Sequence, residues 1–261
     1  MQQRRKTREV KIDEGTKKII KEKFISEREQ KIVEIKAKTK NQEKALEYLK
    51  KRQVVVLRNA SGCGKTYLAC THAANELLRG NCEKIVLIRP YEMVGRSVGL
   101  RPGSGNEKLR PIMQSMLQYL ERVFGKNDLE LKIESGAVVL ECLEDVRGRS
   151  YANSICIVDE AMNVDSHGIQ ALVTRLEETS RMFICGDLAQ KDTKVKSGMD
   201  ELCDVMQKVR ENKPDYLNEN DLLCAKNNFG VVSFTVDDVV RSGLTSLMVK
   251  VIDHDWRNYA S

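Results

Sequence analysis

A glycine-rich segment contains the first residues whose types and spacing could do chemistry. Residues 59–66 read Asn-Ala-Ser-Gly-Cys-Gly-Lys-Thr and stand between an apolar run at 54–57 and a segment with helical spacing. In the motif G-x-x-x-x-G-K-[ST], backbone N–H groups at a helix start surround a phosphate, the lysine neutralises its charge, and the hydroxyl binds Mg²⁺. The chain matches this motif at Gly64, Lys65 and Thr66. An ordinary glycine-rich turn before a helix is the alternative interpretation.

One position departs from the motif. Asn59 stands where the first glycine is expected, and asparagine tolerates a positive φ better than other non-glycine residues. We therefore expect the turn to keep its shape. The loop and the helix start supply the predicted nucleotide-binding residues, which are Asn59, Ala60, Ser61, Gly62, Cys63, Gly64, Lys65, Thr66 and Tyr67.

An acidic pair follows a later apolar run. Residues 154–158 are apolar apart from the first, and Asp159 and Glu160 come directly after them. In this arrangement, called Walker B, the first carboxylate holds Mg²⁺ and the second polarises the attacking water. Many strands end in acidic loops, but the phosphate motif upstream favours the metal-binding interpretation. The predicted metal ligands are therefore Thr66 and Asp159.

The next apolar run, at 182–185, ends in a similar way. Gly186 and Asp187 follow it directly, and Gln190 comes three residues later. Glycine allows a close backbone approach, and a glutamine amide both donates and accepts hydrogen bonds. We expect Asp187 and Gln190 to lie in reach of a γ-phosphate or its attacking water, with a plain turn as the alternative.

The elements that must position these residues alternate along the chain. Short apolar runs are separated by segments with helical spacing, which is typical of an α/β fold with a mostly parallel sheet covered by helices on both faces. In such sheets ligands bind at the carboxyl ends of the strands, where the motifs above fall. We predict strands at 54–57, 85–88, 137–140, 155–158, 182–185 and 231–234. We predict helices at 39–51 with Thr39 as the N-cap, at 65–78 and at 107–124.

Charge is unevenly distributed along the 261 residues. Residues 1–40 contain 14 Lys and Arg against 7 Asp and Glu, a net charge of +7, where the whole chain carries +6. We therefore divide the chain into a basic N-terminal extension at 1–37 and one domain at 38–261. A basic arm on a near-neutral domain favours an anionic partner, most simply nucleic acid. A solvated tail of mixed charge is the alternative.

The composition argues against several other classes of protein. The apolar runs are far shorter than the roughly 20 residues of a membrane-spanning helix. The charged N-terminus has no apolar stretch behind it, so we expect a cytoplasmic protein. Eight cysteines lack Cys-x-x-Cys spacing and only three histidines are present, which argues against a zinc site. A disulfide framework is equally unexpected in that compartment.

Seven short segments occur in an order that is more specific than any one of them. They are Asn-Gln at 41–42, Gly-Cys-Gly-Lys-Thr at 62–66, Ile-Arg-Pro at 88–90, Arg-Gly-Arg-Ser at 147–150, Val-Asp-Glu-Ala at 158–161, Gly-Asp-Leu-Ala-Gln at 186–190 and Asp-Val-Val-Arg at 238–241. Over about residues 38–245 the chain resembles the PhoH family of phosphate-starvation-inducible ATPases, and its short length is similar to that of phage PhoH-like proteins. The resemblance implies a RecA-like core related to superfamily 1 helicases, with ATP and Mg²⁺ as cofactors. It also implies binding of RNA or single-stranded nucleic acid and a homo-oligomer such as a hexameric ring.

The resemblance also implies roles for residues outside the phosphate motif. Gln42 would contact the adenine edge, with Asn41 supporting that contact, and a surface helix position is the alternative. Arg241 resembles an arginine finger, which would stabilise transition-state charge in its own site or in a neighbour's. A structural role is the alternative for Arg241.

Three arginines resemble nucleic-acid contacts. Arg89 follows the second apolar run, and Arg147 and Arg149 flank a glycine before the Walker B run. Guanidinium groups suit phosphate binding, and structural salt bridges are the alternative for all three. The loop after Arg89 carries two additional basic residues, Arg96 and Arg101, which we expect to strengthen contact with a polyanion.

These observations predict an ATPase that couples hydrolysis to the binding or remodelling of RNA or single-stranded nucleic acid. Glu160 would activate water, Lys65 and Arg241 would neutralise developing charge, and Gln190 would sense the γ-phosphate. Translocation would require an oligomer, because the chain contains one core only. A nucleotide-dependent switch that acts on a protein partner is one alternative. A small-molecule kinase is another alternative, but the Arg-Pro sequence after the second apolar run argues against it.

Overall fold

The structure is a computed structural model, which describes residues 32–90, 109–146, 148–188, 196–212, 214–240 and 243–251. Its strands are β1 Val54–Arg58, β2 Lys84–Arg89, β3 Val138–Cys142, β4 Ser154–Val158, β5 Arg181–Gly186 and β6 Phe229–Ser233. They form a six-stranded sheet in the order β3-β2-β4-β5-β1-β6. Every adjacent pair is parallel. The predicted α/β class is therefore confirmed.

Helices cover both faces of this sheet. They are α1 Lys40–Lys51, α2 Lys65–Arg79, α3 Gln114–Phe124, α4 Lys126–Glu134, α5 Ser166–Val173, α6 Gly198–Asn212, α7 Glu219–Asn228 and α8 Gly243–Val251. On one face Val55, Leu57 and Phe183 pack with apolar residues of α1 to α4. On the other, Val56 and Ile184 pack with α5 and α6. Each fully buried Val, Leu or Ile stabilises the fold by about 1.5–3 kcal/mol, so the two apolar clusters hold the strand ends in place.

The predicted elements match the structure closely, with one error. All six predicted runs are strands, and their ends differ by at most two residues. The Thr39 Oγ1 accepts from the Gln42 N–H at 3.2 Å, which confirms Thr39 as the N-cap of α1. The helix predicted at 107–124 is not continuous, because residues 110–113 form turns and α3 begins at Gln114. Pro111 explains the break, since a proline disfavours helical backbone at the residue before it.

The chain touches the domain before α1 begins. The Val33 N–H donates to Asn75 Oδ1 at 3.0 Å, and Asn75 Nδ2 donates to the Val33 carbonyl at 2.8 Å. Val33 and Ile35 also pack against the core on the α2 side. The last residues that we assigned to the extension therefore contact the domain. Among the described segments, no helix combines the length and the apolar character that crossing a bilayer requires.

Candidate nucleotide-binding site

The segment between β1 and α2 forms a tightly curled loop. The φ angles are 65° at Asn59, 35° at Ala60, 78° at Gly62 and 81° at Gly64. The expectation that Asn59 takes a positive φ is confirmed. Left-handed residues interspersed in a turn curl the backbone into a concavity that can bind anions. Gly64 is also the N-cap of α2, so the positive end of a helix dipole faces this loop.

The Lys65 side chain lies over the same loop. Its Nζ donates to the carbonyl of Asn59 at 2.8 Å and to that of Ala60 at 2.7 Å. The residue is 9% exposed, so its charge is held in a partly desolvated position. An ammonium group has three donors, and these two carbonyls use two of them. The geometry fits the predicted role of Lys65 as the cation that meets phosphate oxygens.

The two predicted metal ligands are in direct contact. Thr66 Oγ1 donates to Asp159 Oδ1 at 2.8 Å. Thr66 lies in the first turn of α2, and Asp159 follows β4, where its N–H donates to the Ile88 carbonyl at 3.0 Å. A hydroxyl and a carboxylate are hard oxygen ligands of the kind that Mg²⁺ prefers, together with substrate phosphates. This donor pair therefore fits Mg²⁺.

Glu160 has an unusual backbone conformation. Its φ is 56° and its ψ is 34°, which lies in the left-handed region that non-glycine residues rarely adopt. Such backbone costs about 1–2 kcal/mol, and residues held this way concentrate at functional sites. The Glu160 Oε1 lies 3.1 Å from Arg89 Nη2. Arg89 Nη1 also donates to the Ile112 carbonyl at 2.6 Å.

These side chains surround a polar pocket of about 280 Å³, which we call the phosphate pocket. Its lining residues are Ser61, Gly62, Gly64, Lys65, Thr66, Tyr67, Ser115, Tyr119, Asp159, Glu160, Met162, Gly186 and Asp187. The structure thus brings together the loop, both acidic strand ends and Tyr67.

Helix α3 forms one wall of this pocket, which was not among the sequence-based predictions. Ser115 and Tyr119 stand four residues apart, so they share one face of α3. The Tyr119 ring meets the Tyr67 ring edge-on, with centroids 5.6 Å apart. The i, i+4 spacing was a readable signal, but nothing in the sequence indicated that α3 packs beside α2.

Gly186 has the close approach that we expected. A Cβ built on it would lie 2.9 Å from the Met162 backbone nitrogen and 3.0 Å from two side-chain atoms of Met199. The Gly186 carbonyl also accepts from the Asn59 N–H at 3.1 Å. Glycine at this strand end therefore lets β5 approach the turn after Glu160 and the Met199 side chain closely.

Gln42 lies against the loop, with both amide atoms engaged. Its Oε1 accepts from the Lys38 N–H at 2.7 Å, and its Nε2 donates to the Cys63 carbonyl at 3.0 Å. The side chain is buried, with 4% exposure for the residue. Asn41, the predicted supporter, instead donates through Nδ2 to Asp238 Oδ2 at 2.7 Å. The adenine contact stays a prediction.

Asp238 connects α1 to the turn that precedes Arg241. Burial tends to raise the pKa of Asp238, but hydrogen bonds from Thr39, Asn41 and Thr235 outweigh it and lower this pKa. Two residues beyond Asp238, the Val240 N–H meets the Gly62 carbonyl at 3.4 Å. The residue before Arg241 therefore lies beside the phosphate loop of its own chain.

Arg149 lies in a different part of the molecule. Its Nη1 pairs with Glu141 Oε1 at 2.9 Å, and the Tyr151 hydroxyl donates to Glu141 Oε2 at 2.7 Å. These groups share a second pocket with Lys84 and Ser154, the first residues of β2 and β4. The phosphate pocket lies at the opposite ends of those strands. Arg149 thus forms the salt bridge that was its alternative interpretation, and its nucleic-acid role stays a prediction.

Five residues with predicted roles lie outside the described residues, namely Arg96, Arg101, Arg147, Gln190 and Arg241. Their roles stay predictions. Within the described segments, no group of three or more His, Cys, Asp or Glu side chains is arranged to hold a metal ion. Burial raises the pKa of the Cys63 thiol to about 11, so this loop cysteine is no nucleophile near neutral pH.

The fold and the site together define a class of protein. A parallel sheet, a glycine-rich loop that opens a helix, and a Thr–Asp pair at its mouth are the features of an α/β P-loop NTPase core. The chain belongs to the PhoH-like protein family, whose profile matches residues 34–253.

Individual relatives support this assignment. The chain is 35% identical over 167 residues to a PhoH-like protein of Bacillus subtilis (strain 168), and the aligned region covers 63% of this chain and 52% of the relative. It is 30% identical over 209 residues to Protein PhoH of Escherichia coli (strain K12), which covers 77% of this chain and 54% of that protein. The chain therefore spans about half the length of the curated relatives it matches. The likeness to phage proteins stays a prediction.

Proposed function

We propose that the chain is a Mg²⁺-dependent ATPase of the PhoH type. The observation that carries this proposal is the contact between Thr66 Oγ1 and Asp159 Oδ1 at 2.8 Å, in a pocket that Lys65 and Glu160 also line. A hydroxyl, a carboxylate, a lysine and a second carboxylate are the groups that phosphoryl transfer to water requires. Membership of the PhoH-like family supports the same activity.

Each residue has one task in this reaction. The loop N–H groups and Lys65 would bind the β- and γ-phosphate oxygens, and Thr66 and Asp159 would hold Mg²⁺. When bound, Mg²⁺ neutralises charge on the phosphates. Glu160 accepts a hydrogen bond from a water, whose oxygen forms a bond to the γ-phosphorus while the bond to the bridging oxygen of ADP breaks. The proton leaves through Glu160 to solvent, and the products are ADP and inorganic phosphate.

Two further roles are carried over from the family resemblance. Gln190 senses the γ-phosphate, and Arg241 stabilises charge in the transition state. The contact of Val240 with Gly62 supports action of Arg241 on the site of its own chain.

We propose single-stranded nucleic acid, most simply RNA, as the partner. The excess of positive charge in residues 1–40 supports an anionic partner. A homo-oligomer would supply the second lobe that movement along a strand requires. The alternative is an ATP-dependent switch with a protein partner, which the near-neutral charge of the remaining chain favours.

The experiment is steady-state ATP hydrolysis with Mg²⁺. Lys65→Ala is expected to lose turnover and to keep its fold, and Glu160→Gln is expected to bind ATP but to hydrolyse it slowly. Lys51→Ala and Glu130→Gln are matched controls, because both groups form ion pairs outside the pocket. Normal hydrolysis by a folded Lys65→Ala variant would refute the ATPase site.

Adding single-stranded RNA or DNA at low and moderate salt tests the partner. Stimulation that weakens as salt rises is expected, because phosphate contacts release counterions. Hydrolysis that no polynucleotide changes would leave the ATPase standing and would favour the switch.

A further inference from the structure

We propose that Arg89 is a positioning residue for hydrolysis, which holds the Glu160 carboxylate at the wall of the phosphate pocket. This inference rests on the proposed ATPase function. It gives Arg89 a role different from the nucleic-acid contact that the sequence suggested.

The sheet places the two residues at neighbouring strand ends. Ile88 pairs with Val158 in the register between β2 and β4, and the Asp159 N–H continues that ladder to the Ile88 carbonyl. Arg89 is therefore the last residue of β2, and Glu160 lies two residues beyond the end of β4. Adjacent strands lie about 4.8 Å apart, so a guanidinium at one end reaches a carboxylate at the other.

Within the described part of the chain, Arg89 has polar contacts with Glu160 and Ile112, which belong to two walls of the pocket. Its Nη2 lies 3.1 Å from Glu160 Oε1, and its Nη1 donates to the Ile112 carbonyl at 2.6 Å. Ile112 precedes α3, which contributes Ser115 and Tyr119 to the pocket. The guanidinium therefore fixes Glu160 relative to α3. Glu160 lines the phosphate pocket, whereas Arg89 does not.

The chemistry of the pair suits positioning. A glutamate side chain has several rotatable bonds, and the left-handed backbone of Glu160 restricts only where that side chain begins. A planar guanidinium fixes direction as well as charge, which an ammonium does not. The Arg89 and Glu160 side chains are 20% and 29% exposed, so solvent screens this pair less than a surface pair. A polynucleotide contact through Arg89 would have to compete with both partners.

The test compares kcat and KM for ATP, without polynucleotide, in wild type, Arg89→Gln and Arg89→Lys. Arg89→Gln is expected to lower kcat about 10–100-fold, because small misplacements of a reacting group cost this much. KM is expected to stay within about two-fold, since phosphate binding is untouched. Arg89→Lys keeps the charge but loses the planar guanidinium, so its kcat is expected to lie between those of wild type and Arg89→Gln. Arg110→Gln removes an arginine–glutamate pair outside the pocket and is the control.

A double-mutant cycle separates positioning from a general structural role. In the Glu160→Gln background, Arg89→Gln is expected to lower kcat no further, because the group it positions is gone. An additive loss would overturn the inference, and so would unchanged or raised kcat in the single variant. Unchanged kcat with weaker RNA binding would return Arg89 to the nucleic-acid role. Wild type without hydrolysis would overturn the proposed function and this inference with it, whereas active wild type with an equally active Arg89→Gln overturns the inference alone.

Discussion

The left-handed backbone of Glu160 leads us to predict a difference in stability between two variants that are both inactive. We expect Glu160→Gly to be more stable than Glu160→Ala, although glycine normally destabilises a fold relative to alanine. Both variants lack the carboxylate, so both lose the ion pair with Arg89 and the catalytic group. The comparison between them therefore isolates the effect of the backbone at φ 56°.

The magnitude follows from two opposing effects. Left-handed backbone costs an L-residue about 1–2 kcal/mol, and glycine is free of this cost. Glycine loses about 0.4–1 kcal/mol more through the entropy of the unfolded chain. The net advantage of Glu160→Gly over Glu160→Ala is then about 1 kcal/mol. In a domain of this size that difference corresponds to a Tm shift of about 2–4 °C.

Urea unfolding and thermal unfolding measure this difference, with ATP hydrolysis measured in parallel. The matched control is the same pair of substitutions at Glu130, in the ordinary helix α4. There glycine is expected to be less stable than alanine by about 1 kcal/mol. Both Glu160 variants are expected to lose turnover. If Glu160→Ala is as stable as Glu160→Gly or more stable, the backbone at residue 160 is not strained and the reasoning is refuted.

Three further predictions concern the surroundings of the site. Gly186→Ala brings a methyl group to 2.9 Å from the Met162 nitrogen, so urea unfolding is expected to show a loss of about 1–3 kcal/mol and ATP hydrolysis a higher KM. Burial lowers the pKa of His72 from 6.5 to about 4, so the unfolded chain binds the proton at a higher pH than the folded chain. As the pH is lowered from 6.5 towards 4, the urea concentration at the unfolding midpoint is therefore expected to decrease, and to decrease less in His72→Gln. Gln42→Ala is expected to raise KM for ATP and GTP alike, since its amide braces the loop; a loss confined to ATP would instead support the adenine contact.

The sequence predicts those parts of the site that depend on short stretches of chain. Apolar runs of four or five residues predict strands, and the carboxyl ends of parallel strands share one edge of a sheet. That rule and the two motifs predicted Thr66 and Asp159 as ligands of one Mg²⁺, and the structure has them in contact although they are 93 positions apart. The positive φ of Asn59 was predictable in the same way, from the conformational preference of one residue type.

Features that depend on which elements are neighbours could not be predicted. The pairing of Arg89 with Glu160 requires β2 to lie beside β4, and the strand order places it there. The salt bridge of Arg149 with Glu141 likewise depends on β3 lying at the sheet edge. The contribution of Tyr119 required knowledge of how α3 packs. In each case the charged or polar residue is visible in the sequence, but its partner is not.

The charges of the pocket bear on how nucleotide and metal would enter. Among the described lining residues, Lys65 is the one Lys or Arg, whereas Asp159, Glu160 and Asp187 are carboxylates. A triphosphate adds several negative charges to this partly desolvated space, where repulsion is stronger than in water. The pair formed by Thr66 and Asp159 offers too few ligands to hold Mg²⁺ alone, because this ion favours about six oxygens and keeps phosphates and waters among them. We therefore infer that the cation and the nucleotide bind as one complex, in which the cation offsets the repulsion between the carboxylates and the phosphates, and the phosphates complete the ligands of the cation.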